Sequence, residues 1–493
     1  MLRVTALSLS AAALLAAGIP DPVRIDPGLI SGATSETSDV RAFKGIPFAA
    51  PPVGALRWRP PQPAADWAGV RKAEQFGARC MQATQNGGSP GINPGVSEDC
   101  LTINVWTAAK AASERRPVMV FFYGGGFNTG SGAQPGYDGE ALAKKGVVFV
   151  TFNYRLGMFG FMAHPELTKE SGHNSSGNYG MMDGRAALEW VQRNIGHFGG
   201  DPRKVTIMGE SAGAMMVAAL VGSPQGRGLF IRAIAESGAW MGLSPGKMTT
   251  LAAAEEVGAK AGTLADLRTK SAAEVLQSGR GSSIVVDGWY VPEDLSVTFR
   301  AGRQNPVDVL IGSNKDEGTF FSRGGVTLDQ FTKQAKRRWS DQADSYLQLY
   351  PAANDEQANS AQLENTRDMV AWHMRVWAQM QSKRGNKAYL FYFTHEEPSV
   401  AGRPWRGATH TAELPFAFNN LGPGRNWTDA ERKLADEMSS YWANFAATGD
   451  PNGRGLANWP PFKKDPAPMI LGERAELVAG QKIAFYDATY AKQ

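Results

Sequence analysis

Ser211 is the residue of this chain most ready to do covalent chemistry. It stands in Gly209-Glu210-Ser211-Ala212-Gly213, after the apolar run Val205-Thr206-Ile207-Met208 and before a helix-like stretch from Ala212 to Val221. A serine on a sharp strand-to-helix turn presents its hydroxyl at the top of a sheet. Glycines on either side keep a Cβ out of that strained backbone. Such a hydroxyl is placed for acyl transfer. The G-x-S-x-G pattern recurs at Gly87-Gly88-Ser89-Pro90-Gly91 and at Gly242-Leu243-Ser244-Pro245-Gly246. In both, a proline follows the serine and has no N–H to lend to a developing oxyanion, whereas Ala212 has one. Neither follows a strand-like run.

Acyl transfer also needs a base, an acid to orient it, and donors for the oxyanion. For a serine on such a turn, the chain order is serine, acid, histidine. Of six histidines, His164, His173 and His197 precede Ser211 and fail that test, and His373 sits in the middle of a helical stretch. His395 ends a strand-like run and His410 lies in the small-residue loop Arg406-Gly407-Ala408-Thr409-His410-Thr411, so these two compete. The acid is expected after a strand between Ser211 and the histidine. Val307 to Ile311 supplies that strand, and Asp316 or Glu317 in the following loop could serve. Phe122-Tyr123-Gly124-Gly125-Gly126-Phe127 follows another strand-like run, and its bare backbone can approach a reacting carbonyl. The glycines are not followed by the Lys-Ser/Thr of a phosphate loop, and no helix pattern opens at Phe127 as a dinucleotide fingerprint requires.

The elements that must position these groups are legible as alternating patterns. Val118–Tyr123, Val147–Tyr154, Val205–Met208, Ile231–Ala235, Val307–Ile311 and Tyr389–Phe393 read as buried strands. Helical patterns lie between them, as in Gly184–His197, where Ala187, Leu188, Val191 and Ile195 share a face, and another is expected at Asp429–Ala447. The alternation predicts an α/β fold with a mostly parallel sheet. Residues 249–300 and 327–385 are charged, helix-prone and strand-poor, and read as helical insertions over the sheet that shape the entrance to the site. Residues 19–493 are expected to form a single domain carrying these insertions.

Taken together, these segments resemble the type-B carboxylesterase/lipase, or cholinesterase-like, family of the α/β-hydrolases. The likeness also rests on Phe43-Lys44-Gly45-Ile46-Pro47-Phe48-Ala49, Leu56-Arg57-Trp58, Ser97-Glu98-Asp99-Cys100-Leu101, Asn314-Lys315-Asp316-Glu317-Gly318 and Phe445-Ala446-Ala447-Thr448-Gly449-Asp450-Pro451. It covers nearly the whole chain after residue 18. The resemblance implies an α/β-hydrolase fold and a serine carboxylesterase working through an acyl-enzyme. It implies Glu317 as the acid and, through His410-Thr411-Ala412-Glu413-Leu414-Pro415-Phe416, His410 as the base. Gly125, Gly126 and Ala212 become the oxyanion donors. A Cys80–Cys100 bridge and ion pairs Arg57–Glu98 and Arg155–Asp183 are implied as well. Ser237 matches a family serine that hydrogen-bonds near the acid. Thr102 stands where the family often has tyrosine. Residues 81–99 hold no aromatic side chain, so the cation–π grip of choline-ester hydrolases is missing and choline esters are not expected as substrates.

The chemistry requires no metal and no organic cofactor, and a small-molecule ester is the expected partner. Candidate substrate contacts are Glu210, beside the nucleophile, and Arg403 and Arg406, which could receive a carboxylate-bearing ester. An interface-active lipase is the alternative, although no strongly amphipathic lid helix is evident. A non-catalytic binding protein on the same scaffold would have lost triad residues, and all candidates are present. Of the 493 residues, 43% are hydrophobic and 20% charged, with a net charge of +4 and no basic cluster interleaved with aromatics, which argues against a nucleic-acid partner. Arg3, the apolar stretch Val4–Ile19 and the small residues Ala16-Ala17-Gly18 read as a cleavable signal over residues 1–18, hence a secreted or periplasmic protein without stable membrane insertion. In that oxidising compartment, Cys80 and Cys100 are expected to pair. Sequons occur at Asn174 and Asn426.

Overall fold

The computed structural model describes residues 19–83, 95–241, 248–321, 325–396, 407–423, 425–463 and 467–491. The signal over residues 1–18, both proline-bearing G-x-S-x-G sequences, and Arg403 and Arg406 lie outside the described residues.

Among the described residues ten strands make one sheet. In chain order they are β1 (Ala33–Thr34), β2 (Arg41–Pro47), β3 (Thr102–Thr107), β4 (Arg116–Phe122), β5 (Val148–Phe152), β6 (Gly200–Glu210), β7 (Arg232–Glu236), β8 (Asp308–Asn314), β9 (Ala388–Phe393) and β10 (Met469–Leu471). Across the sheet the order is β10-β9-β8-β7-β6-β4-β5-β3-β2-β1. Pairing is parallel from β10 to β5 and antiparallel from β5 to β1. Parallel strands need crossover helices that cover both faces, so their side chains are buried on both sides. That is why β5 (Val-Phe-Val-Thr-Phe) and residues 205–210 of β6 are buried without interruption. All six runs read as strands are strands of this sheet, with ends displaced by a few residues. The widest displacement is at β6, which begins at Gly200.

Four helices bear on the site. Helix α1 (Tyr179–Asn194) starts five residues before the expected Gly184 and ends in a single tighter turn, Ile195–Phe198. Helix α2 (Ala212–Gly222) packs on β6, β7 and β4. All its residues but Met215 are buried, which suits its wholly apolar composition. Helix α3 (Asp355–Lys383) packs on β8 and β9, and α4 (Asp429–Thr448) on β4 and β6. Helix α3 is therefore the crossover between β8 and β9, although its sequence reads as part of an insertion. The rest of that segment, Leu328–Trp339 and Ala343–Leu349, packs together, and Leu328–Trp339 also rests on α3. Residues 249–300 hold four short helices, Leu251–Ala259, Leu264–Thr269, Ala272–Gln277 and Leu295–Arg300, and a two-stranded pairing of Thr249–Thr250 with Val285–Val286.

Cys80 and Cys100 form a disulfide. Arg57 donates to both oxygens of Glu98, at 2.7 and 2.6 Å. Arg155 grips Asp183 in the same two-pronged way, at 2.8 and 2.7 Å. Both implied ion pairs are present. Among the described residues no helix is long and apolar enough to cross a membrane.

Candidate active site

Ser211 occupies the turn between β6 and α2 with φ 54° and ψ −123°, a backbone conformation that costs a non-glycine residue energy. The neighbours hold it there: the Ser211 N–H donates to Glu236 O at 2.9 Å, and Ser211 O accepts from Met215 N at 3.0 Å. The flanking glycines are a packing necessity. A Cβ at Gly213 would overlap the Phe122 carbonyl at the end of β4, and one at Gly209 would overlap the backbone of Gly213. The Ser211 side chain is left partly exposed, above a buried Ala212.

The glycine loop after β4 closes onto this turn. A Cβ at Gly124 would lie 2.5 Å from Glu210 Oε2 and 3.0 Å from Ser211 Cβ. Gly125 and Gly126 are exposed and have φ of 109° and 60°. The carbonyl of Gly125 accepts from Asn128 N at 3.2 Å, Thr129 N at 3.1 Å and Thr129 Oγ1 at 3.2 Å. In a trans peptide the N–H points opposite to the C=O, so fixing the Gly125 carbonyl fixes the direction of the Gly126 N–H.

His410 sits on a turn, 2% exposed, and Glu317 is fully buried. Their side chains meet, with His410 Nδ1 2.6 Å from Glu317 Oε2. The other Glu317 oxygen accepts the Asn314 N–H at 2.9 Å. His410 Nε2 is 3.1 Å from Glu210 Oε1, but the two are not aligned as a hydrogen bond, and Nε2 is buried without a hydrogen-bond partner among the described residues. Glu210 adjoins Ser211 in sequence, so this approach brings the imidazole to the Ser211 turn. Burial alone would push the imidazole pKa down. The carboxylates of Glu210 and Glu317, with Glu413 beyond them, outweigh burial and lift it to about 9. Burial drives Glu210, Glu236 and Glu413 above the ordinary carboxylate range.

Of the two adjacent acids, only Glu317 reaches the imidazole. Asp316 docks the histidine loop instead: its N–H donates to Ala408 O at 2.9 Å, and its Oδ2 accepts from Ala408 N at 2.9 Å. The competing His395 is held elsewhere, with Nδ1 2.8 Å from Glu473 and Nε2 3.3 Å from Glu431. His373 accepts from Met241 N, and burial holds its pKa near 3. Ser237 departs from the resemblance, because its hydroxyl is buried without a hydrogen-bond partner among the described residues.

Three features escaped the sequence reading. Asn314 Nδ2 donates to Thr409 O at 2.9 Å and to Glu413, tying the end of β8 to the histidine loop. Glu236 is buried and accepts from Trp442 Nε1 at 2.6 Å. Phe320 and Phe321 set their rings 5.2 and 4.9 Å from the imidazole, and both are exposed. Their only sequence signal is a place one helical turn after Glu317. Among the described residues no group of His, Cys, Asp and Glu side chains could hold a metal ion.

A mostly parallel sheet flanked by helices, with a strained serine between strand and helix and an acid and histidine on later loops, defines an α/β-hydrolase. The chain belongs to the carboxylesterase family, whose profile matches residues 20–484, and it is a carboxylic ester hydrolase. Fumonisin B1 esterase of Sphingopyxis macrogoltabida is 38% identical over 492 residues, covering 91% of this chain and 87% of that one. Para-nitrobenzyl esterase of Bacillus subtilis (strain 168) is 34% identical over 472 residues, covering 90% and 93%. Two solved structures of PNB esterase superpose with TM-scores of 0.79 and 0.77 at 32% identity, each covering 89% of this chain and 93% of its own.

Proposed function

We propose that ester hydrolysis proceeds through an acyl-enzyme on Ser211, with His410 as base, Glu317 as orienting acid, and the N–H groups of Gly125, Gly126 and Ala212 as oxyanion donors. The contact of His410 Nδ1 with Glu317 at 2.6 Å carries this reading, because it fixes which ring nitrogen is left to serve the serine. Nε2 takes the Ser211 proton as Oγ attacks the ester carbonyl. The carbonyl oxygen gains negative charge facing the three N–H groups. Nε2–H then protonates the departing alcohol, and water repeats the sequence to release the acid. Glu317 holds the tautomer and stabilises the imidazolium. Ser211→Ala is expected to lower kcat by about 10⁴-fold or more while substrate still binds. Near-normal turnover in that variant would overturn the assignment.

We also propose a secreted or periplasmic location, with residues 1–18 removed. The Cys80–Cys100 disulfide supports it, since such bonds persist in oxidising compartments. N-terminal sequencing of exported protein should begin just after Gly18, and an intact Met1 on it would count against removal. Fumonisin B1 is a substrate to assay with the wild type beside Ser211→Ala, given the 38% identity to a fumonisin B1 esterase.

A further inference from the structure

The oxyanion donors proposed above lie on a loop whose far end is clasped by a side chain from outside it. Gln82, 7% exposed, accepts the Gly130 N–H at 2.9 Å through Oε1 and donates through Nε2 to Gly130 O at 2.8 Å. One amide side chain thus pairs with both backbone groups of one residue, as a neighbouring strand would. The same Nε2 also donates to Cys80 O at 3.0 Å, at the disulfide. A second tie runs parallel to the first. Asn153 Oδ1 accepts from Gly132 N at 3.0 Å, and its Nδ2 donates to Ala78 O at 3.0 Å.

We infer that Gln82 is a positioning residue for the oxyanion loop, and that the Cys80–Cys100 bridge acts on turnover through it. This rests on the reading of Gly125 and Gly126 as donors. The route is short. Gln82 fixes the Thr129–Gly130 peptide by taking its N–H. Thr129, through its own N–H and hydroxyl, holds the Gly125 carbonyl. That carbonyl sets the direction of the Gly126 N–H. At the other end, Gly130 lies so close to the Gly124 carbonyl that a Cβ there would stand 2.8 Å from it, so a shift of Gly130 also frees the Gly124–Gly125 peptide. Gln82 reaches out from a stem that the disulfide ties to Cys100, two residues before β3. Cutting the bridge loosens the stem, and among the described residues the stem's polar hold on Gly130 is the amide.

Gln82→Met keeps the side chain's length and removes both polar atoms. It is expected to lower kcat by at least about tenfold, short of the 10²–10³-fold typical of deleting a donor outright, with KM changed less than about threefold. Affinity for a trifluoromethyl ketone, whose serine adduct carries the oxyanion, should fall by the same factor as kcat/KM, with the unfolding midpoint little changed. The Cys80→Ser/Cys100→Ser variant should lose kcat in the same sense. Adding Gln82→Met to it should cause no further loss, since both changes act through one link. If Gln82→Met fails to fold, Gln82→Leu, which also lacks both polar atoms, is read by the same criteria. Unchanged kcat, a fall in kcat without loss of ketone affinity, or losses that multiply in the triple variant would each overturn the inference. Ser211→Ala is assayed in parallel. An active Ser211→Ala would instead sink the nucleophile assignment, whereas an inactive one beside a normal Gln82→Met would sink only the role of Gln82.

Discussion

Asp316 and Glu317 are adjacent carboxylates with opposite tasks, and the difference is one of side-chain direction. Glu317 turns inward to His410 Nδ1, and Asp316 turns to the backbone of Ala408. Nothing in the local composition separates them, which is why the residues alone left both open and only the family resemblance chose Glu317. The same holds for His410 against His395, each in a loop after a strand-like run. Ser211 was easier to single out, because Pro90 and Pro245 fail a requirement that any residue must meet to donate an N–H. The buried Glu236 and Glu413 were illegible, since a carboxylate in a sequence is presumed to face water. Glu317→Gln is expected to keep the fold while lowering kcat by about 10³–10⁴-fold, because the amide can present an N–H to Nδ1 and stabilise the wrong tautomer. Asp316→Asn should behave nearly as the wild type, since an amide oxygen still accepts the Ala408 N–H. Steady-state kinetics of the two variants side by side distinguishes the tasks. Equal losses would show that the docking of the loop, not the acid itself, dominates.

At the scale of elements, burial decided what the sequence disclosed. Strands β4 to β9 are flanked on both sides within the sheet and covered on its faces, so their apolar runs stood out. Strand β2 is interrupted by Lys44 and Gly45, with a register shift between Phe43 and Ile46, and β10 is three residues long. Neither carries a period that can be counted. Helix α3 reads as part of an insertion because charged residues recur along it, yet most of its length is buried or half-buried and it lies on β8 and β9. The elements near the site are also joined by charge. Asp183 is fully buried on α1 and accepts three hydrogen bonds from Arg155, two from the guanidinium and one from the backbone N–H. Arg155 also donates to Arg59 O at 2.8 Å, so one cation links the segment after β5 to α1 and to the N-terminal region. Asp183→Ala leaves that cation buried and unpaired, and is expected to destabilise the protein by about 3–5 kcal/mol. Urea unfolding measures it, and a loss below about 1 kcal/mol would mean that the guanidinium finds water at little cost.

The charges gathered around His410 have a consequence for the whole molecule. Native His410 is lifted from 6.5 to about 9, so between those values the folded protein holds a proton that the unfolded chain releases. Glu210, Glu236 and Glu413 are raised above the ordinary 4.5 and act in the same direction over their own ranges. Each such proton is worth about 1.4 kcal/mol per pH unit, and since the native state binds more protons, stability falls as pH rises. His373 opposes them only at lower pH: its pKa is held near 3, so its contribution grows between about 3 and 6.5 and is complete above that. The salt-bridged surface carboxylates, such as Glu140 held near 2, act below the ordinary carboxylate range. From pH 6.5 to 9 the site's contributions therefore all run downward. In the proposed mechanism catalysis runs the other way, because His410 as base must lose its proton before it can take one from Ser211. The expected outcome is a melting temperature that declines from pH 6.5 to 9 while kcat/KM rises over the same interval. Glu210→Gln removes a negative charge facing the imidazole, lowers the His410 pKa, and should shift the kcat/KM midpoint to lower pH while flattening the decline in melting temperature. A variant that moved one curve and not the other would show that the charges governing the base are not those that govern the fold.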